Sequence, residues 1–150
     1  MNAAGQGILY ERFGDCRRLI SGRTALLNEY HGFISRLSSE LAPGSLIIDC
    51  HSFPSDLADI DICIGYNDDA SKPEQEMIDK ATHLFDRAGF KVGLNNPYSN
   101  SITPKKPIDY KSLMIEVNKR CYMNEGTLAR TVGYDIIPGL VNDFYRLVLA

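Results

Sequence analysis

Ile60-Asp61-Ile62-Cys63-Ile64, Ser71-Lys72-Pro73-Glu74 and Gly89-Phe90-Lys91-Val92-Gly93-Leu94 follow one another within residues 60–94. In the first, isoleucines alternate with Asp61 and Cys63, the pattern of a half-buried strand. Gly65-Tyr66-Asn67-Asp68-Asp69 reads as a loop. Ser71 to Glu74 then has the form of a capping box, with Pro73 tolerated in a first helical turn. Met77, Ile78, Ala81, Leu84, Phe85 and Ala88 recur at helical spacing, and Gly89 takes the C′ position that ends a helix. Phe90, Val92 and Leu94 alternate again. Strand, helix, strand with short punctuation implies a parallel crossover and an α/β fold.

The flanks extend this pattern. Upstream, Leu26, Leu27, Tyr30, Ile34, Leu37 and Leu41 mark a helix from about Thr24 to Leu41, stopped by Pro43-Gly44. Leu46 to Asp49 is too short and too apolar for a helix and reads as a strand. Nearer the start, Ile8-Leu9-Tyr10 is a short strand or an extended entry. Downstream, Asn95 to Asp109 holds Pro97, Pro104 and Pro107, and so long a loop is often functional. Lys111 to Asn118 is a further strand. A last helix covers Asp135 to Leu149, with Ile136, Ile137, Leu140, Val141, Phe144 and Val148 inward and Pro138 near its first turn. There is no internal repeat, and residues 1–150 read as a single domain.

Composition limits the function classes. At 150 residues the chain suits one domain with a real core. Its net charge of -3 and the lack of a Lys/Arg run argue against nucleic acid. Residues 49–79 carry nine acidic side chains and one basic, whereas residues 80–120 carry eight basic and three acidic. Such runs form either solvated faces or a rim that attracts a small anion. The four cysteines, at 16, 50, 63 and 121, form no C-x-x-C pair. Cys50 and Cys63 read as small buried hydrophobes. No stretch is apolar enough to span a bilayer, and the first residues lack a secretory pattern, so a cytoplasmic location is expected.

Polar residues interrupt two of the apolar runs. His51 follows Leu46-Ile47-Ile48-Asp49-Cys50, beyond the expected strand end, where ligands bind in open α/β sheets. It is either a hydrogen-bonded structural residue or a metal ligand. Asp49, two residues away, shares its face and can hold one ring nitrogen. Glu116 lies within Leu113-Met114-Ile115-Glu116-Val117. Met114, Glu116 and Asn118 share one face, and Leu113, Ile115 and Val117 the other. A carboxylate there is a salt-bridge partner of Arg120 or Lys119, or a desolvated base with a raised pKa. Asn95 and Tyr98 begin the long loop, as turn formers or as donors to a substrate carboxylate. His31 and His83 read as surface or packing residues of their helices.

In order and spacing, Asp49-Cys50-His51-Ser52-Phe53, Asp61-Ile62-Cys63-Ile64-Gly65, Asn96-Pro97-Tyr98-Ser99 and Ile115-Glu116-Val117-Asn118-Lys119-Arg120-Cys121-Tyr122-Met123 resemble the N-formylglutamate amidohydrolase family. Gly7-Ile8-Leu9-Tyr10 and Tyr30-His31 add to the likeness. The resemblance implies a mixed, mostly parallel sheet flanked by helices, related to zinc-dependent carboxypeptidases. It implies hydrolysis of an N-formyl amide on an acidic amino acid, a small anionic N-acyl substrate, to formate and glutamate. It further implies one zinc ion, held by a His and a Glu of an N-terminal motif and by a later His. His51 matches that later ligand, and Glu116 matches the carboxylate that activates water. Arg120 and the loop of Asn95 and Tyr98 are the nearest candidates for substrate contact.

The chain also departs from the family. The Pro-His-Ser-Gly-like metal motif with its acidic partner has no counterpart here, and neither does a later Asn-Arg segment. The Gly-Gly after Pro-Tyr-Ser is replaced by Asn100-Ser101. The expectation is an N-terminally shortened domain with an incomplete metal site, an exposed sheet edge and a tendency to self-associate. Two other classes stay open: a non-catalytic binding or scaffold relative, and a different zinc amidase such as a peptidoglycan amidase.

Overall fold

The computed structural model describes residues 12, 13, 16, 17, 19–99 and 101–149. The expected Ile8-Leu9-Tyr10 strand lies outside them. The chain forms two units, residues 1–41 with 104–107, and residues 42–103 with 108–150. The first holds a two-stranded antiparallel ribbon, β1 (Arg12–Phe13) and β2 (Cys16–Arg17), and the helix α1 (Ile20–Glu40). This helix starts four residues before the expected Thr24, and its stripe of Leu26, Leu27, Tyr30, Ile34 and Leu37 is half-buried. Lys106, from the proline-rich segment, donates from Nζ to the Leu41 and Ser39 carbonyls. A cation on the last carbonyls of a helix satisfies groups that have no intrahelical donor.

The second unit is a four-stranded sheet in the order β3 (Ser45–Phe53), β6 (Tyr110–Asn118), β4 (Ile62–Gly65), β5 (Val92–Leu94). β3 and β6 are parallel, β4 runs antiparallel to β6, and β5 is parallel to β4. The sheet is therefore mixed, as expected, and helix α2 (Gln75–Arg87) links the parallel neighbours β4 and β5. Gly89 ends α2 at φ 89°. The Phe90 and Gly89 amides donate to the Phe85 and Asp86 carbonyls, the paired bonds of a Schellman motif.

Two expectations about the helices fail. The capping box at Ser71 is absent, because the backbone N–H and the Oγ of Ser71 both donate to Asp69 Oδ1. The preceding Asn-Asp-Asp turn captures the serine, and α2 begins after Glu74 instead. In α3 (Gly133–Leu149), Ile137 and Phe144 are buried, with Leu140, Val141 and Val148 packed beside them. Ile136 is 50% exposed rather than inward. Adjacent helical residues point about 100° apart, so only one of the Ile136–Ile137 pair can face the sheet.

α2 and α3 cover one sheet face. Ile78, Ala81 and Phe85 of α2 and Ile137 and Phe144 of α3 pack on Ile62, Ile64, Leu113, Ile115 and Val117. The opposite face carries Phe53, Cys63, Met114, Glu116 and Asn118. Among the described residues no helix is long and apolar enough to cross a membrane. Ile137→Ala should lower unfolding stability by about 2–5 kcal/mol and Ile136→Ala by less than about 1 kcal/mol. Urea denaturation of both variants checks this, and equal losses would contradict the packing described.

Candidate active site

β3 does not end at Asp49. Its pairing with β6 continues residue by residue to Phe53 opposite Asn118. His51 therefore lies within the strand, on the sheet face, and not beyond a strand end as expected. Exposed polar side chains at 50–52 hid the strand in the sequence, because an edge strand needs backbone pairing on one side only. The register then aligns four residues across the sheet: His51 opposite Glu116, Glu116 opposite Cys63, and Cys63 opposite Gly93. Directly opposed residues share a face. The sheet thus brings His51 and Glu116, distant in sequence, side by side.

Asp49 Oδ1 is 2.7 Å from His51 Nε2. Carboxylate oxygens accept, so Nε2 is the donor, and Nδ1 is the ring nitrogen left to other partners. The Asp49 side chain is 11% exposed and that of His51 is 50% exposed. The pair anticipated from their shared strand face is thus formed.

Glu116 is 7% exposed, and its Oε2 is buried with no hydrogen-bond partner among the described residues. Burial pushes its pKa from the usual 4.5 to about 7; the charge of His51 opposes the rise and that of Asp49 adds to it. The alternative of a salt bridge to Arg120 does not hold. The Arg120 guanidinium lies 3.0 Å from Asp61 and 3.4 Å from Asp59, and Asp59 also meets Lys91 at 2.7 Å. The acidic and basic stretches of the sequence thus pair with each other at this point. No hydrogen bond or ion pair joins Arg120 to Glu116 or His51 among the described residues.

Asn95 and Tyr98 take different positions. Asn95, at φ 51°, accepts from the Tyr66 N–H through Oδ1, and its own N–H donates to the Ile64 carbonyl. Its side-chain oxygen thus fixes a turn. The Asn96–Pro97 bond is cis. Tyr98 packs edge-on to Phe53, with ring centroids 6.5 Å apart, and its carbonyl accepts from Cys63 Sγ at 3.3 Å. The chain passes so close here that a Cβ on Gly93 would lie 2.7 Å from Ile60 Cδ1 and 3.1 Å from the Asn96 carbonyl. His31 and His83 are exposed on α1 and α2.

Two of the cysteine readings separate. Cys63 is buried, as expected, but Cys50 is exposed and 3.7 Å from the Tyr145 hydroxyl. Cys50 falls on the other side of the β3 pleat from His51, on the face that carries α3, and stays exposed beside Tyr145. Cys63 is also a site neighbour that its apolar surroundings in sequence concealed. Only the antiparallel register of β4 on β6 sets it beside Glu116. Asn118, wholly buried, holds the Ile60 carbonyl at 2.8 Å and caps the turn at Arg120.

A catalytic zinc needs three protein ligands. Among the described residues no three His, Cys, Asp or Glu side chains are placed to hold a metal ion. The donors at hand are His51 Nδ1 and the unpartnered Glu116 oxygen. They fall short of a zinc site by themselves.

A carboxyl whose pKa is raised by folding binds its proton more tightly in the native state. Its stabilising contribution is complete below pH 4.5 and is lost as pH rises through about 7. The loss is about 3 kcal/mol. Urea unfolding between pH 4.5 and 8, with a chelator present, should show native stability falling by about that much relative to Glu116→Gln. Identical pH slopes for the two proteins would contradict the burial of an unpartnered carboxyl.

The N-formylglutamate amidohydrolase family model matches residues 8–123. No curated protein matches the chain. Among solved structures, N-formylglutamate amidohydrolase from Ralstonia eutropha JMP134 is similar, with a TM-score of 0.54 and 22% identity. The match covers 85% of this chain and 47% of that one, so the chain spans less than half of that protein's length. At this identity the likeness is one of fold. The family match extends over most of the sequence, and by it the chain belongs to the N-formylglutamate amidohydrolase family.

Proposed function

We propose that this chain carries the proton-transfer part of an amidohydrolase site for N-acyl derivatives of acidic amino acids, with N-formyl-L-glutamate as the reference substrate. The observation that carries the reading is Glu116: buried, unpartnered at Oε2, and in register with an oriented imidazole. Family membership supports the substrate class.

In this reading Glu116 takes a proton from water as the water oxygen attacks the formyl carbon. The C–N bond then breaks, and the same carboxyl returns the proton to the departing nitrogen, giving formate and glutamate. A pKa near 7 suits a group that must both accept and donate at neutral pH. Asp49 holds the His51 ring so that Nδ1 is the presented atom. We assign His51 as this chain's donor to the zinc ion implied by the resemblance. The completing ligands are not among the described residues. Tyr98 packs with Cys63 and Met114 beside Glu116, and Asn95 fixes the turn from which its segment leaves. Arg120, held by Asp59 and Asp61, is the weakest of the assigned substrate contacts.

The donors among the described residues, short of three ligands, leave a second reading open, a binding relative without catalysis. Formate release from N-formyl-L-glutamate separates the two. On the first reading, kcat/KM rises with pH through about 7, because the base must be unprotonated, and Glu116→Gln lowers it by roughly 10²-fold or more. A variant as active as the parent would remove Glu116 from the mechanism. Absence of any formate release by the zinc-supplied chain would favour the binding relative.

A further inference from the structure

The long segment after β5 is held to the sheet at both ends by side-chain hydrogen bonds. At its start, the Asn95 amide oxygen takes the Tyr66 N–H at 2.9 Å. At its return, Asn67 and Ser101 form a reciprocal pair. Asn67 Nδ2 donates to the Ser101 carbonyl at 3.2 Å, and the Ser101 N–H donates to Asn67 Oδ1 at 3.3 Å. The second Nδ2 hydrogen goes to Ser71 Oγ at 3.2 Å. Ser112, wholly buried in β6, donates from Oγ to the Ile102 carbonyl at 2.6 Å. The Ser101 hydroxyl must then be the donor in its 2.7 Å bond to Ser112 Oγ. Asn67 is 8% exposed and makes bonds through both ends of its amide.

Between these anchors the segment crosses the Glu116 face. Tyr98 packs with Phe53, Cys63 and Met114, which surround Glu116 along and across the strands. Burial under it is nearly complete: Cys63 and Phe53 are 0% exposed and Met114 5%. Phe53 ends β3, so the roof reaches from β4 to that strand end, and the face opens back along β3, where the His51 side chain is 50% exposed.

We propose that Asn67 is a positioning residue, which clamps the segment of Tyr98 as a roof over the Phe53–Cys63 end of the Glu116 face and leaves the His51 side as the way in for a ligand. This extends the functional reading, but the clamp and roof are defined by contacts that do not depend on it. Buried amides that satisfy a returning backbone strand fix its position, because each lost bond strands a polar group away from water. With the clamp released, the roof lifts before the helix-covered core unfolds.

Cys63 reports the event, since its thiol lies beneath the roof and donates to the Tyr98 carbonyl. Iodoacetamide alkylation under native conditions, followed by peptide mapping, distinguishes it from Cys16, Cys50 and Cys121. Asn67→Ala should speed Cys63 alkylation by at least tenfold, and Ser112→Ala should act in the same direction, which keeps the test available if one variant folds poorly. Ile78→Val, on the helix-covered face, serves as a control, with denaturant added until its stability equals that of the variant. Its Cys63 should alkylate no faster than in the parent. Equal Cys63 rates in the clamp variants and the stability-matched control would overturn the proposal, because the network would then only support the fold. These outcomes hold whether or not the chain releases formate.

Discussion

A carboxylate taken out of water without a partner costs several kcal/mol, and the usual relief is to take up a proton. Glu116 sits under that constraint at the centre of a four-stranded sheet. Three features of the second unit bear on it. The pairing of β3 and β6 sets His51 beside it, the antiparallel β4 sets Cys63 on its other side, and Tyr98 covers the flank. Each neighbour either withholds water or offers a titratable group. The result is a carboxyl poised near neutrality beside an imidazole whose orientation Asp49 fixes.

The two faces of the sheet divide the work of folding and chemistry. On one, α2 and α3 bury a continuous apolar layer. That layer supplies the hydrophobic stabilisation, at about 25 cal/mol per Å² of apolar surface removed from water. The other face can then hold polar groups that contribute little to stability, or oppose it. Alternation along β6 makes this possible within one strand: Leu113, Ile115 and Val117 face the helices, while Met114, Glu116 and Asn118 face the site.

Much of this was legible in the residues. The alternation of Ile62 and Ile64 and in Leu113–Val117, the helical spacing from Met77 to Phe85 and the role of Gly89 specify local structure, and local structure suffices for the crossover. Ile60 falls before β4 and packs with Cys63 on the other face, and β4 is buried on both faces rather than half-buried. The paired faces of β6 and the Asp49–His51 contact follow from the two-residue period of a strand. Other features depend on what the sequence does not display. The length of β3 rests on pairing with β6, not on its own polar residues. The neighbour relation of Glu116 and Cys63 rests on antiparallel register. The Ser71 capping box lost to an Asx turn three residues long, Asp69 to Ser71, that competes for the same hydroxyl. Arg120, four residues after Glu116, goes instead to Asp59 and Asp61, which stand just before β4, Asp59 exposed and Asp61 half-buried.

Direct titration of the Glu116 carboxyl tests the central claim most closely. The side-chain carboxyl carbon can be followed by NMR in protein labelled with ¹³C at glutamate, the resonance being assigned by its absence in Glu116→Gln. A midpoint at about pH 7 is the predicted result. A midpoint at 4.5, the usual value, would show a solvated or paired carboxylate and would contradict the account.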